Sequence, residues 1–318
     1  MKAIVYHNYG SPDVLKLEEI EQPTPGDDEV LIKVRAASVN PIDRVYRGRP
    51  YMVRLMSGLR KPKDTRLGRD VAGQVEAVGR NVTQFKPGDE VFGTCRAAFA
   101  EYACAPASAL VIKPDKVTFE QAASVPIAGL TALQGLRDKG QIQPGQKVLI
   151  NGASGGVGTF AVQIAKSFGA DVTGVCSPRN IGMVRAIGAD QVIDYTQEDF
   201  TKGEARYDLI LDCVSNHSLS VCRRVLNPHG KFVIVGASKL RNSLSHALKG
   251  LVLSPFVSQN FVMLIARLRK DDLTILGELI EAGKVRPVID RCYSLSEAPE
   301  AIRYLEQGHA QGKVVITL

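Results

Sequence analysis

Residues 147–158 read KVLINGASGGVG and form the most informative segment of the chain. The run KVLIN is typical of a buried strand, and the turn after it has glycines at 152, 155, 156 and 158. Apolar residues then recur at one-face helical spacing, at positions 157, 161, 164, 165 and 168. Glycine lets a pyrophosphate approach the backbone, and a helix N-terminus offers free N–H groups to it. The order strand, glycine turn, helix therefore predicts a dinucleotide site.

The spacing inside the turn supports this interpretation. Dinucleotide sites follow the pattern G-x-G-x-x-G, and here Ala153, Gly155 and Gly158 give A-x-G-x-x-G. The alternative is a strand–helix turn that binds nothing. We predict that the turn residues contact the cofactor; they are Ala153, Ser154, Gly155, Gly156, Val157 and Gly158.

The next strand, DVTGVC at 171–176, indicates which dinucleotide binds. Sites selective for NAD carry Asp or Glu about 20 residues into the motif, where it binds the ribose 2′-hydroxyl. No acid stands at 175–178, and Cys176, Ser177 and Arg179 mark the strand end instead. A hydroxyl and a guanidinium suit a 2′-phosphate, so we predict NADP(H). The alternative is that Arg179 only caps a solvated loop.

Length and composition limit the class of protein. The 318 residues suit two domains, and 45% hydrophobic residues support sizeable cores. The N-terminal sequence has no apolar signal-peptide region, and no apolar run of about 18 residues predicts a membrane span. The six cysteines form no C-x-x-C pair and lie at no metal-ligand spacing to histidine. We therefore expect a reduced, cytoplasmic enzyme.

The net charge of +7 is concentrated in one segment. Positions 44–69 hold nine basic residues and a single acid, Asp64. Such a segment attracts an anionic ligand, including a phosphate-rich cofactor, or it is a solvated face without a partner. We expect no nucleic-acid partner, because no aromatic stacking motif or nucleic-acid module accompanies the charge.

The rhythm of the chain changes near residue 120. Before it, short β-type runs alternate with turn signals, which predicts a small all-β barrel or sandwich. After it, strand-like runs at 147–151, 171–176, 191–195, 207–213 and 230–236 alternate with helical patterns at 156–168, 180–188 and 218–226. This alternation predicts an α/β, doubly wound parallel sheet. The pattern leaves open which domain receives the helix–strand–helix–strand tail from 271 onward.

Several stretches together resemble one family. They are AASVNPID (36–43), GRDVAGQVEAVG (68–79), SVPIAGLTALQGL (124–136), GADQVIDY (188–195) and GKVVITL (312–318). The chain resembles a zinc-independent medium-chain dehydrogenase/reductase of the quinone oxidoreductase-like branch. The resemblance implies a GroES-like, mostly-β catalytic domain (1–120 and 264–318) with a Rossmann NADP-binding domain (121–263) inserted. It also implies a homodimer and a cleft between domains for nicotinamide and substrate.

The resemblance also identifies what this chain lacks. Zinc alcohol dehydrogenases carry Cys at the position of Asn40 and His-Glu at Arg69-Asp70, and their four-cysteine zinc lobe is absent between 93 and 102. Catalytic zinc needs three N, S or O protein ligands, which Asn and Arg do not supply in place of Cys and His. We therefore predict neither catalytic nor structural zinc.

Without zinc, the resemblance implies hydride transfer from NADPH to a quinone or an α,β-unsaturated carbonyl. Asn40 is expected to hydrogen-bond in the substrate cleft, and Tyr46 or Tyr51 to line it, where a phenol can donate a proton. One alternative is an enoyl-thioester or alkene reductase on the same scaffold. Another, from a different class, is an RNA-binding regulatory protein that retains NADPH as a ligand.

Further cofactor contacts are implied by motif position. They are Thr131 near the nicotinamide, Tyr195 near the 2′-phosphate, Cys213 and Val214 after the fourth strand, Gly236, Ala237 and Ser238 after the fifth, and Lys313 as an added charge.

Overall fold

The computed structural model describes residues 1–48, 60–235 and 258–318. The chain forms two compact units. The first unit comprises Met1–Ile127, Leu268–Glu281 and Pro287–Leu318; the second comprises Ala128–Arg267 and Ala282–Arg286. The domain boundaries predicted from sequence lie after 120 and after 263. The first segments of the two units end slightly later, at Ile127 and Arg267.

The strands, in chain order, are β1 (Lys2–Val5), β2 (Lys16–Glu19), β3 (Glu29–Val39), β4 (Asp70–Val78), β5 (Glu90–Thr94), β6 (Tyr102–Pro106), β7 (Leu110–Ile112), β8 (Lys147–Asn151), β9 (Asp171–Cys176), β10 (Gln191–Asp194), β11 (Tyr207–Asp212), β12 (Leu226–Ile234), β13 (Asn260–Met263), β14 (Ile289–Ser294) and β15 (Lys313–Thr317). The described α-helices are α1 (Pro41–Gly48), α2 (Phe119–Ala123), α3 (Pro126–Gln134), α4 (Gly156–Ser167), α5 (Ile181–Ala186), α6 (Leu219–Cys222), α7 (Lys270–Glu281) and α8 (Ala298–Glu306).

The first unit is built on a seven-stranded sheet. Its order is β14-β15-β3-β4-β5-β7, with β6 also paired to β3. The tail therefore completes this unit, since β15 runs antiparallel to β3 and β14 pairs with β15. The sequence predicted an all-β first third, and this was wrong, because helix α1 begins at Pro41, shortly after β3 ends at Val39. The core is apolar and includes the fully buried Tyr6 and Phe99.

Register in this sheet brings distant positions together. Ser38 of β3 pairs with Asp70 of β4, and Val39 of β3 pairs with Val314 of β15. The end of β3 therefore lies beside the beginnings of both β4 and β15. Residues separated by most of the chain share one corner of the sheet.

The second unit has the predicted Rossmann-type, doubly wound sheet. Its six strands are all parallel, in the order β10-β9-β8-β11-β12-β13. The strand order reverses between β8 and β11, and ligands of such sheets bind at the carboxyl ends of strands around that reversal. The predicted α/β fold class, a doubly wound parallel sheet beside a mostly-β unit, is confirmed.

Among the described residues, no helix is long and apolar enough to cross a membrane.

Candidate functional site

The glycine turn joins β8 to α4 at the reversal point of the second unit's sheet. Gly152 adopts a φ of 85°, a left-handed conformation that glycine adopts without strain. The amides of Gly152 and Ala153 both donate to the Val175 carbonyl, at 3.1 and 3.0 Å. The turn is thereby fastened to β9 and points toward the carboxyl edge of the sheet.

The first turn of α4 is suited to an anion. Helix α4 begins at Gly156 after a glycine N-cap that offers no side-chain hydrogen bond. Thr159 N donates to Gly155 O at 2.9 Å, and the amides of 156–158 precede that bond. The first amides of a helix have no carbonyl one turn earlier to accept their protons. Together with the positive dipole end, these amides can bind an anion such as phosphate.

The end of β9 lies beside this turn. Ser177 is half-buried and Arg179 is exposed. The Tyr195 amide donates to the Cys176 carbonyl at 3.2 Å, and the Tyr195 side chain is 56% exposed. Ser177 and Arg179 thus follow the end of β9, and Tyr195 follows the end of the neighbouring strand β10.

Cys176 is buried at the same strand end. Burial raises the pKa of its thiol to about 11, so it stays protonated and packs. Asn180, which sequence reasoning missed, donates from Nδ2 to Ser154 Oγ at 2.9 Å. This hydrogen bond connects the loop after β9 to the glycine turn. In the sequence, the position of Asn180 three residues after Ser177 could have identified it as a site residue.

The end of β11 is organised by Asp212, which sequence reasoning also missed. Its Oδ1 accepts hydrogen bonds from Asn151 Nδ2 at 2.9 Å, Val214 N at 3.0 Å and Ser215 N at 2.9 Å. Asp212 is 1% exposed. Ser215 adopts a φ of 59°, so the carboxylate stabilises a strained loop. This loop carries Cys213 and Val214, two of the predicted cofactor contacts.

The remaining predicted residues are placed as follows. Thr131 lies in α3 and is half-buried, and Tyr46 lies in α1. Tyr51, Gly236, Ala237 and Ser238 lie outside the described residues.

A buried polar cluster occupies the corner where β3, β4 and β15 meet in the first unit. Lys313 Nζ donates to Asn40 Oδ1 at 2.7 Å and lies 3.5 Å from Asp70 Oδ2. Asn40 Nδ2 donates to Asp70 Oδ2 at 2.9 Å and to Ser38 O at 3.1 Å. Ser38 Oγ also donates to Asp70 Oδ2, at 2.7 Å. We call Ser38, Asn40, Asp70 and Lys313 the corner cluster.

The corner cluster changes how Asn40 and Lys313 are understood. Both hydrogens of the Asn40 amide nitrogen are used inside the protein, and Lys313 is only 4% exposed. Burial lowers the pKa of the Lys313 ammonium, while the nearby Asp70 and Asp43 charges oppose that shift. The structure therefore places Lys313 on Asn40 and Asp70, away from the surface. Sequence reasoning did not include Asp70 among the site residues.

Asp43 lies next to the cluster at the start of α1. Its Oδ2 accepts from Asn40 N at 2.8 Å and its Oδ1 from Gly68 N at 3.2 Å. It is 1% exposed, and burial raises its pKa to about 7 despite these two donors. The Asp43 carboxyl thus connects the backbone at Asn40 to the backbone at Gly68.

A metal site in the described part of the chain needs several ligand side chains close together. There, no group of three or more His, Cys, Asp or Glu side chains lies close enough together to hold a metal ion. Asn40 and Asp70 are bonded to each other and to Lys313. All six cysteines are unpaired thiols.

Comparisons with known proteins cover almost the whole chain. Residues 26–115 match the alcohol dehydrogenase GroES-like domain, and residues 187–316 match the zinc-binding dehydrogenase family. The chain is 35% identical to a chloroplastic quinone oxidoreductase of Triphysaria versicolor, over 99% of this chain and 98% of that protein. It is 36% identical to a chloroplastic NADPH-dependent alkenal/one oxidoreductase of Arabidopsis thaliana, over 99% of this chain and 79% of that protein.

A solved structure is equally similar. The quinone oxidoreductase from Coxiella burnetii superimposes with a TM-score of 0.88 at 34% identity, covering 100% of this chain and 99% of that one.

Proposed function

Because the chain belongs to the quinone oxidoreductase branch of the medium-chain dehydrogenase/reductase family, we propose that it is an NADPH-dependent, zinc-free oxidoreductase. It transfers a hydride to a quinone or an α,β-unsaturated carbonyl. The observation that carries the proposal is the glycine turn between β8 and α4, which lies at the carboxyl edge of a parallel sheet. The names of the relatives from Triphysaria and Arabidopsis support the acceptor class.

The second unit binds the dinucleotide. The glycine turn and the first amides of α4 hold the pyrophosphate. Ser177 and Arg179 at the end of β9 bind the 2′-phosphate, with Tyr195 beside them, since a hydroxyl and a guanidinium are its natural partners. The loop held by Asp212 presents Cys213 and Val214 to the cofactor, and Thr131 completes the set. The bound cofactor supplies the hydride.

The acceptors in this proposal need no metal. A quinone or an enone carries its own electron sink, so the protein has to position it and provide a proton. The family description "zinc-binding dehydrogenase" does not fit the residues present. The polar atoms of Asn40 and Asp70 are bonded to each other and to the Lys313 ammonium, and a zinc ion there meets a fixed positive charge.

Proton donation to the acceptor completes the reduction. Tyr46 or Tyr51 donates the proton, or water does. Asn40 contributes through its position at the start of α1, because the Asn40 amide N–H groups already have acceptors. The corner cluster holds Asn40, the residue before α1. It thereby fixes the start of the helix that carries Tyr46.

The proposal extends to the oligomeric state and the cellular compartment. We propose a homodimer in the cytoplasm, and the unpaired thiols fit a reducing compartment. No observation favours the RNA-binding alternative.

The experiment follows loss of NADPH absorbance with a naphthoquinone, a simple enone and a CoA enoyl thioester as acceptors. We expect turnover with the quinone or the enone, and weaker turnover with NADH than with NADPH. Turnover with the thioester alone favours the alkene-reductase alternative. No oxidation with any acceptor, combined with salt-sensitive RNA binding, contradicts an enzymatic role. Stoichiometric zinc in the purified protein contradicts the metal-free mechanism.

A further inference from the structure

The buried Lys313 ammonium is surrounded by oxygen atoms of the protein. An ammonium group has three N–H donors, and the Lys313 group has three oxygen neighbours. They are Asn40 Oδ1 at 2.7 Å, Val39 O at 3.4 Å and Asp70 Oδ2 at 3.5 Å. The group is almost completely removed from solvent. Burying a charge there costs desolvation free energy, and the three oxygen neighbours offset part of it.

The Lys313–Asp70 pair determines the orientation of Asn40. An ammonium only donates hydrogen bonds and an ionised carboxylate only accepts them, whereas a side-chain amide has one end of each kind. Lys313 therefore fixes Oδ1 of Asn40, and Asp70 fixes Nδ2. With either charge removed, one end of the amide loses the partner that defines it.

The orientation of Asn40 in turn locates helix α1. Asn40 directly precedes Pro41, the first residue of that helix. Its backbone amide donates to Asp43 Oδ2 at 2.8 Å, and the Asp43 amide donates to Asn40 O at 3.0 Å. The helix start is thus tied through Asn40 to β4 by Asp70 and to β15 by Lys313.

We propose that Lys313 is a positioning residue: its ammonium is an internal cation that fixes Asn40 and, through it, the start of α1 for the hydride acceptor. This inference rests on the proposed function. It assigns Lys313 to the acceptor side of the reaction and removes it from the cofactor contacts expected from its motif.

The chain offers a matched control for a buried lysine. Lys113 is also in the first unit, is 6% exposed and pairs with Glu90 at 2.9 Å. Its Nζ donates to Val117 O at 2.9 Å and to Pro114 O at 3.2 Å. It touches neither Asn40 nor Asp70 in these contacts, so K113M reports the general cost of losing a buried lysine.

The test compares K313M, K113M, N40A, N40A/K313M and the charge-neutral K313M/D70N. We expect K313M to lower kcat about 10- to 100-fold and to leave the dissociation constant of NADPH within about twofold. K113M lowers thermal stability without lowering kcat. K313M/D70N recovers thermal stability but not kcat, and K313M lowers kcat no further in the N40A background, because both changes remove the same support.

Several results overturn the inference. They are a K313M kcat close to that of the wild type, full recovery of kcat in K313M/D70N, independent effects of K313M and N40A, or a loss of NADPH affinity with unchanged kcat. The last result makes Lys313 a cofactor contact.

Amide hydrogen exchange decides the same question without turnover. Exchange at Asn40 and Asp43 is expected to accelerate at least about tenfold in K313M and to stay unchanged in K113M. Equal exchange in the two variants overturns the inference. If the wild type reduces no acceptor, the proposed function fails, and the exchange result still decides whether Lys313 holds the start of α1.

Discussion

Gly158 lies against the carbonyl oxygen of Gly152, so close that a Cβ atom at position 158 would stand 2.1 Å from that oxygen. Real Cβ atoms do not approach an oxygen to this distance. The last glycine of the motif is therefore required because α4 packs tightly onto the turn that follows β8. This contact sets the position of the helix N-terminus that we propose holds the pyrophosphate.

Replacing Gly158 with alanine is expected to displace α4 from the turn. The added methyl group meets backbone atoms, which cannot rotate away, so G158A loses about 3 kcal/mol of unfolding free energy. NADPH affinity falls as well, because the amides of 156–158 move from their positions. Denaturant unfolding and cofactor titration measure the two effects.

Gly182 provides the control for G158A. A Cβ at this helical position meets nothing within 4 Å, so G182A is expected to be neutral or stabilising by up to about 1 kcal/mol. Equal effects of G158A and G182A would show that close packing at Gly158 is not what the turn depends on.

Arg179 is expected to set the preference for NADPH over NADH. A hydrogen bond to a charged group contributes about 1.5–3 kcal/mol, so R179A weakens NADPH about 10- to 100-fold. NADH affinity stays nearly unchanged, because NADH lacks the 2′-phosphate. Parallel fluorescence titrations with both cofactors measure the ratio. Unchanged NADPH affinity in R179A would assign Arg179 to a solvated loop.

Asp208 and Asp212 lie near opposite ends of β11. Substituting each in turn distinguishes an effect on stability from an effect on cofactor binding. Asp212 holds the loop at the carboxyl edge, whereas Asp208 accepts from Lys147 N at 2.9 Å and Asn227 Nδ2 at 2.8 Å at the other end. D212A is expected to cost about 2–4 kcal/mol of unfolding free energy and to weaken NADPH at least about tenfold. D208A is expected to cost stability alone. An equal loss of NADPH affinity in both variants would contradict a role for the Asp212 loop in the cofactor site.

Local periodicity made much of the second unit predictable. Strands β8 and β9 have the predicted bounds, 147–151 and 171–176, since apolar runs bounded by turn residues define them. The helix predicted over 218–226 is a single turn, Leu219–Cys222, followed by a 3-10 turn. Pairing with β11 draws Leu226 into β12, and that tertiary contact overrides the local helical pattern.

Helix α1 had a local signal that was not used. Asn40 stands at the N-cap position, Pro41 is the first helical residue, and Asp43 is an acid that accepts the Asn40 amide proton. The corner cluster had no such signal. Asn40 lies 30 residues from Asp70 and 273 from Lys313 in sequence, and only the sheet register brings them together. Motif position therefore suggested a cofactor contact for Lys313, whereas the register places it on Asn40.

The buried Asp43 is expected to make stability depend on pH near neutrality. Its pKa rises from 3.8 to about 7 on folding because burial disfavours the carboxylate. Between about pH 4 and pH 7 the unfolded chain has released this proton and the folded chain retains it, so stability falls as pH rises through this range. A shift of this size corresponds to on the order of 4 kcal/mol, and the loss is complete above the folded-state pKa.

The variant D43N isolates this effect. Its amide oxygen replaces one of the two accepted hydrogen bonds, so at pH 5 we expect D43N to be about 1 kcal/mol less stable than the wild type. The order reverses at about pH 6, because the wild type loses about 1.4 kcal/mol per pH unit in this range, whereas position 43 of D43N carries no titratable group. The two proteins differ only at position 43, so the difference between the two urea-unfolding curves reports Asp43. Parallel stability curves across the whole range would contradict a raised pKa at this carboxyl.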